Sequence, residues 1–172
     1  MLRTLLFAAL LSLLALPAAA ADLIPAAERA PAADFSLDNL DDDGVSLSEQ
    51  AGKVVVISFW ATWCQPCLQE LPHMNDFQRE FSDDLVVFAI TTDGPETQSE
   101  VRSLARRNRW IFQVLKDLDG SVSAQLNPRG TNPFTLFIDR NGRVAAAHEG
   151  YASGDEVGYR EQITALIAEA AE

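Results

Sequence analysis

The sequence predicts an α/β domain: a central mixed β-sheet flanked by helices, with an added β-hairpin at its N-terminal end. Three observations carry this. Lys53-Val-Val-Val-Ile-Ser-Phe-Trp60 is a nearly continuous β-branched and aromatic run, the pattern of a strand buried on both faces. A helical pattern follows, and then a second run of the same kind, Leu85-Val-Val-Phe-Ala-Ile90, which together make the β-α-β order of two parallel strands. Near the C-terminus, Asn141-Gly142 stands between two apolar runs and is the strongest short-range hairpin signal in the chain. A parallel start and an antiparallel finish require a mixed sheet, and runs buried on both faces require helices over each side.

The remaining elements follow in order. Phe35-Ser-Leu37 and Val45-Ser-Leu47 alternate apolar and polar about Asn39-Leu-Asp-Asp-Asp-Gly44, so a small hairpin opens the domain near Asp34. The first long helix is expected over residues 65–81, with Leu68, Leu71, Met74 and Phe77 at turn spacing. Residues 97–108 form an amphipathic pattern with Arg102, Arg106 and Arg107 on a solvated outer side, continued by Arg109. A short strand at 112–115 and a short helix at 121–126 lead to the hairpin strands 134–138 and 144–148. A closing helix is expected over 154–171, with Ile163, Leu166 and Ile167 on its inner face.

Ahead of the domain, Met1-Leu-Arg3 is a short positive start, and Leu5 to Leu16 is apolar apart from Ser12. Pro17 breaks the run, and Ala18-Ala-Ala-Ala21 offers small-residue cleavage positions, the layout of a secretory signal peptide over residues 1–21. The competing reading is an uncleaved anchor, since Leu5 to Ala21 approaches the ~20 residues that span a bilayer. Residues 22–33 are rich in Ala and Pro and read as a linker, leaving 34–172 as one domain. The chain is thus expected to be exported, to a periplasm or the extracytoplasmic side of a membrane, with membrane contact only through a retained N-terminus. Its formal charge of −12, or −13 without Arg3, argues against nucleic acid and anionic lipid as partners.

The only two cysteines, Cys64 and Cys67, lie three apart in Trp60-Ala-Thr-Trp-Cys-Gln-Pro-Cys67. Outside the cytoplasm a disulfide persists, but a bridge over two intervening residues closes almost no loop and adds little as a staple. Exchange chemistry suits the pair better. Cys64 falls at the mouth of the first helix, where unpaired N–H groups and the helix dipole stabilise a thiolate, and Pro66 fits the first turn, where a missing N–H costs nothing. Cys67, one turn further in, is placed to attack a mixed disulfide formed at Cys64. Trp60 is expected to pack in the core and Trp63 to cover the thiols. Zinc takes four ligands, and the only histidines, His73 and His148, are not paired at ligand spacing, so neither metal nor cofactor is expected.

Trp63-Cys-Gln-Pro-Cys67 after a hydrophobic strand resembles the active site of the thioredoxin superfamily. More narrowly, the signal peptide, the early hairpin and Cys67-Leu-Gln-Glu-Leu-Pro72 resemble the TlpA/ResA-like extracytoplasmic thiol–disulfide oxidoreductases. That resemblance spans Ala33 to about Ala168 and implies a thioredoxin-like fold, with Pro72 kinking the helix. It makes Glu70, three residues past Cys67, the candidate proton acceptor, against the plainer reading of a surface residue. Thr131-Asn-Pro-Phe-Thr-Leu-Phe-Ile-Asp139 matches the family's loop facing the dithiol. Pro133 is then the expected cis residue, and Trp63, Asn132 and Pro133 are the candidate substrate-binding residues.

The sequence also departs from the pattern. Ser58 stands where many thioredoxins bury an aspartate, Gln65 replaces a glutamate common in cytochrome-maturation reductases, and Phe134 replaces a common threonine. The resemblance implies a reductant of protein disulfides, such as apocytochrome c or an oxidase copper-site protein, recharged by a membrane protein that relays electrons. Two alternatives stand beside it. A Sco-like copper chaperone uses two cysteines and a distant histidine, a place His148 can fill, but separates its cysteines by three residues. A peroxiredoxin-type peroxidase carries Pro-x-x-x-Thr-x-x-Cys, where this chain has Ile57 and Ala61 before Cys64.

Overall fold

The computed structural model describes residues 22–170; the expected signal peptide lies outside the described residues. Seven strands form one sheet: β1 Ser36–Asn39, β2 Gly44–Ser46, β3 Val54–Trp60, β4 Leu85–Thr91, β5 Gln113–Lys116, β6 Phe134–Ile138 and β7 Val144–Glu149. Their spatial order is β2-β1-β5-β4-β3-β6-β7. The helices are α1 Gln65–Glu80, α2 Gln98–Asn108, α3 Ser121–Leu126 and α4 Asp155–Ala168.

Strands β3, β4 and β5 run parallel, with Trp60 opposite Thr91 and Thr91 opposite Lys116. Strands β6 and β7 continue the sheet antiparallel from β3, and the β1–β2 hairpin continues it antiparallel from β5. This is the mixed sheet and N-terminal hairpin that the residue pattern predicts. Every residue of β3 is buried, because the strand is central and covered on both faces. Val54, Val56 and Trp60 join a cluster with Leu71, Met74 and Phe77 of α1 and Tyr159, Ile163 and Leu166 of α4. Val55, Ile57 and Phe59 turn the other way, to Phe35, Phe88, Ile90 and Val122. Strand periodicity of two sorts alternate residues into the two cores.

The structure differs from expectation at both ends of the domain. Residues 22–33 are not a free tether. Ile24 N–H donates to the Ala145 carbonyl at 2.8 Å, Val144 N–H donates to Ala30 at 2.8 Å, and Ala32 N–H donates to Gly142 at 2.9 Å. Arg29 is buried there, bonded to Asp139 Oδ2 at 3.1 Å and to both carboxylate oxygens of Glu169 at 2.5 and 2.8 Å. The closing helix correspondingly ends at Ala168 rather than 171, because Glu169 turns to an extended conformation and meets Arg29.

Candidate active site

Trp60 ends β3 fully buried, with its ring edge-on to Trp110 at 5.2 Å. The chain then turns through Ala61, Thr62 and Trp63 into α1. Cys64 is the N-cap of that helix, and its sulfur accepts a hydrogen bond from Cys67 N–H at 3.2 Å. Cys64 N–H donates to the Ala61 carbonyl at 3.0 Å, which closes the turn. Pro66 occupies the first helical turn, where no N–H is needed. Cys64 and Cys67 are joined as a disulfide. Exposure separates their surroundings: Cys64 retains 3% and Cys67 none.

Both cysteines belong to the buried cluster that holds Trp60, Ala61 and Leu71, and Trp63 is not part of it. Trp63 is 72% exposed, the most exposed large apolar side chain among the described residues. Next in sequence to the nearly buried Cys64, Trp63 therefore offers most of its apolar surface to solvent.

Opposite lies the loop before β6. Phe134 pairs with Phe59, which sets Pro133 level with the end of β3, where the Cys64 turn leaves the sheet. The Asn132–Pro133 peptide is cis. The Pro133 carbonyl accepts from Gly150 N–H at 2.8 Å, while the main-chain N–H and carbonyl of Asn132 take no hydrogen bond among the described residues.

Glu70 is fully buried. It falls on the inward stripe of α1 with Cys67, Leu71 and Met74, at helical spacings of three and four, so its burial follows from position. The surface reading of this residue does not hold. Its carboxylate accepts hydrogen bonds from Ser58 Oγ and Thr135 Oγ1, both at 2.7 Å. Those two residues are cross-strand partners on β3 and β6, so the sheet presents both hydroxyls to one carboxylate. Burial raises the Glu70 pKa above its ordinary value, opposed by the hydroxyl hydrogen bonds and helped by the charge of Asp155. The Tyr159 hydroxyl is buried nearby without a closed hydrogen bond, and burial raises its pKa too, followed by the charge of Glu70.

The absence of the usual strand aspartate at position 58 now has a physical account. Ser58 supplies a donor, and the carboxylate comes from the helix instead. Sequence reasoning missed two further residues, Thr92 and Asp93. They follow β4 directly and hydrogen-bond to both loops of the site, with Asp93 only 4% exposed. Their signal was a polar Thr91-Thr92-Asp93 run closing an otherwise apolar strand.

Neither histidine hydrogen-bonds to a cysteine or to Glu70 among the described residues, although His148 is the cross-strand partner of Thr135. His73 packs against Tyr151 at 6.1 Å between ring centroids. His148 packs against Phe137 and Tyr159, its Nε2 2.9 Å from Gln162 Oε1. No group of three or more His, Cys, Asp or Glu side chains gathers as a metal site among the described residues.

A thioredoxin-like sheet with a Cys-x-x-Cys pair at the first helix after a central strand defines a thiol–disulfide oxidoreductase. The chain belongs to the AhpC/TSA family, whose model matches residues 29–147. It is 36% identical over 127 residues to the thioredoxin-like protein YneN of Bacillus subtilis (strain 168), covering 73% of this chain and 74% of that protein. It is 35% identical over 138 residues to the thiol-disulfide oxidoreductase ResA of Oceanobacillus iheyensis, covering 77% and 70% respectively. Among solved structures, a Chlorobium tepidum protein assigned as a thiol:disulfide interchange protein DsbE superposes with a TM-score of 0.74 at 30% identity, over 81% of this chain and 97% of that one. The pneumococcal exposed lipoprotein thioredoxin Etrx1 of Streptococcus pneumoniae gives 0.64 at 28% identity, over 76% and 98%. The enzyme is thus of the ResA/DsbE type.

Proposed function

We propose that this chain is an exported reductant of protein disulfides, with Cys64 as attacking thiol, Cys67 as resolving thiol and Glu70 as proton acceptor. The observation that carries the reading is Glu70 itself, a fully buried carboxylate one helical turn behind Cys67 on the same face of α1. In the reduced enzyme the Cys64 thiolate attacks one sulfur of a substrate disulfide. A Cys64–substrate disulfide forms and the other substrate sulfur leaves as thiolate. Glu70 takes the Cys67 proton, and the Cys67 thiolate attacks Cys64 Sγ. The second substrate thiolate leaves, and the Cys64–Cys67 disulfide remains. Two electrons pass to the substrate, whose thiolates take protons from water and from Glu70. A membrane dithiol relay restores the reduced pair.

Trp63, Asn132 and Pro133 form the docking face. The free main-chain groups of Asn132 suit strand-like hydrogen bonds to an extended substrate segment, and Trp63 offers apolar area beside the attacking sulfur. Apocytochrome c and the copper-site protein of an oxidase are substrates of this kind. Export is supported by the N-terminal sequence and by the relative described as an exposed lipoprotein thioredoxin.

The test is the equilibrium of the Cys64–Cys67 couple with glutathione. A reductant should lie nearer thioredoxin's ~−270 mV than the ~−120 mV of the strong oxidant DsbA. A value near the oxidant's would reverse the direction of electron flow and leave the dithiol chemistry intact.

A further inference from the structure

The two loops that meet a substrate come from distant parts of the chain, and one short segment touches both. Thr92 N–H donates to the Trp60 carbonyl at 2.9 Å, and the Thr92 hydroxyl donates to the same carbonyl at 3.3 Å. That hydroxyl also accepts from Asn132 Nδ2 at 2.8 Å, the one hydrogen bond of the Asn132 side chain among the described residues. A hydroxyl has one proton, so donation to Trp60 leaves its oxygen to hold Asn132. Asp93 takes the next residues of the other loop: Thr62 N–H at 2.8 Å and Thr62 Oγ1 at 2.7 Å. Its carboxylate is fixed in turn by Thr91 Oγ1 at 2.8 Å and Thr97 Oγ1 at 3.3 Å, from the end of β4 and the turn before α2. A buried acceptor with three close donors on it, and the Thr97 hydroxyl shared with the Gly94 carbonyl, has little freedom, and neither does the loop it holds.

We propose that Thr92 and Asp93 are positioning residues that set the Cys64 turn against the Asn132–Pro133 loop, and so govern how fast a protein disulfide is attacked. Neither touches the sulfurs. Trp60 and Thr62 bracket the start of the redox turn, and Asn132 precedes the cis proline, so the segment fixes the spacing across which a substrate chain must lie. A misplacement of about 1 Å at such a site costs on the order of a hundredfold, without any change in the reacting groups. The inference rests on the reading of the Asn132–Pro133 loop as the docking face.

It is tested with two substrates, a disulfide-bridged peptide that must dock and a small aromatic disulfide that need not. Thr92→Val removes the hold on Asn132 at nearly constant shape. It should slow attack on the peptide about tenfold, the scale of one buried hydrogen bond, and change the small-disulfide rate by less than about twofold. Asp93→Ala should behave likewise, and Asp93→Asn, which keeps an acceptor oxygen for Thr62 N–H, should recover most of the loss. Thermal melts identify any variant that is not folded, in which case Thr92→Val alone decides. Equal slowing on both substrates, or slowing on neither, overturns the bracket. If the wild-type chain itself shows no preference for the peptide, the docking reading fails and takes the bracket with it.

Discussion

Glu70 shows how far one side chain's behaviour depends on where its helix puts it. In water it would release its proton near the ordinary carboxyl value of 4.5, but burial raises the folded value. Between the two, the folded chain holds a proton that the unfolded chain has lost, so the contribution of Glu70 to stability falls as pH rises through that window. Glu70→Gln removes the contribution. Relative to wild type, the variant should therefore gain stability as pH rises from 4.5 through the folded value, measured by urea unfolding of the oxidised protein across pH. A difference that does not vary with pH would mean that the carboxyl is not held neutral. Under the proposed role of Glu70, the same variant should slow resolution of a Cys64 mixed disulfide and leave the first attack largely unchanged, since that proposal gives the acceptor to Cys67 alone. The hydrogen bonds from Ser58 and Thr135 act against burial and favour the charged form.

At the scale of elements, the N-terminal segment 22–33 and α4 are locked through Arg29. The guanidinium joins Asp139 in the β6–β7 turn to Glu169 just past α4, and the Arg29 and Asp139 side chains are each 2% exposed. Asp139 also accepts from Arg143 and from the N–H groups of Asn141 and Arg143. These donors hold its pKa below the ordinary carboxyl value although burial, the largest single influence, acts the other way. Arg29→Ala leaves the carboxylate buried with part of its compensation gone. The expected loss is about 3 kcal/mol of unfolding free energy, read from denaturant titrations at neutral pH. Much of it should vanish in acid. A depressed carboxyl pKa contributes stability above the unfolded value of 3.8 that is lost as pH falls through the lower folded value. A loss of a few tenths of a kcal/mol would show that the strap is loosely held in solution.

On the scale of the whole molecule, the strap ties the first described residues to the sheet edge. Among the described residues, hydrogen bonds to β7 begin at Ile24, three residues past Ala21, the last residue of the expected signal peptide. Under the proposal of export, cleavage at Ala21 would leave the docked segment whole. Protein recovered from the cell envelope should accordingly show an N-terminus within a residue or two of Ala21 or Asp22 by intact-mass measurement. A mass retaining residues 1–20 would instead indicate an anchored enzyme, held at the membrane surface by about the length of one span.

Much of this protein is determined locally. Buried strands, amphipathic helices and an Asn-Gly turn act over a few residues, so period and turn chemistry specify the α/β order without knowledge of the partner elements. The dithiol is legible for the same reason, since Cys64, Pro66 and Cys67 share one helical turn whose N–H groups act on the sulfur directly. Other properties were decided only by tertiary structure. The outward direction of Trp63, the docking of residues 22–33, the end of α4 at Ala168 and the Thr92–Asp93 bracket all depend on contacts between segments far apart in sequence. Asp93 and Thr62 are 31 residues apart, and Arg29 and Glu169 are 140 apart. A polar side chain in a loop carries no periodic signal, and whether it meets solvent or a buried partner is settled when the sheet brings distant loops to one end.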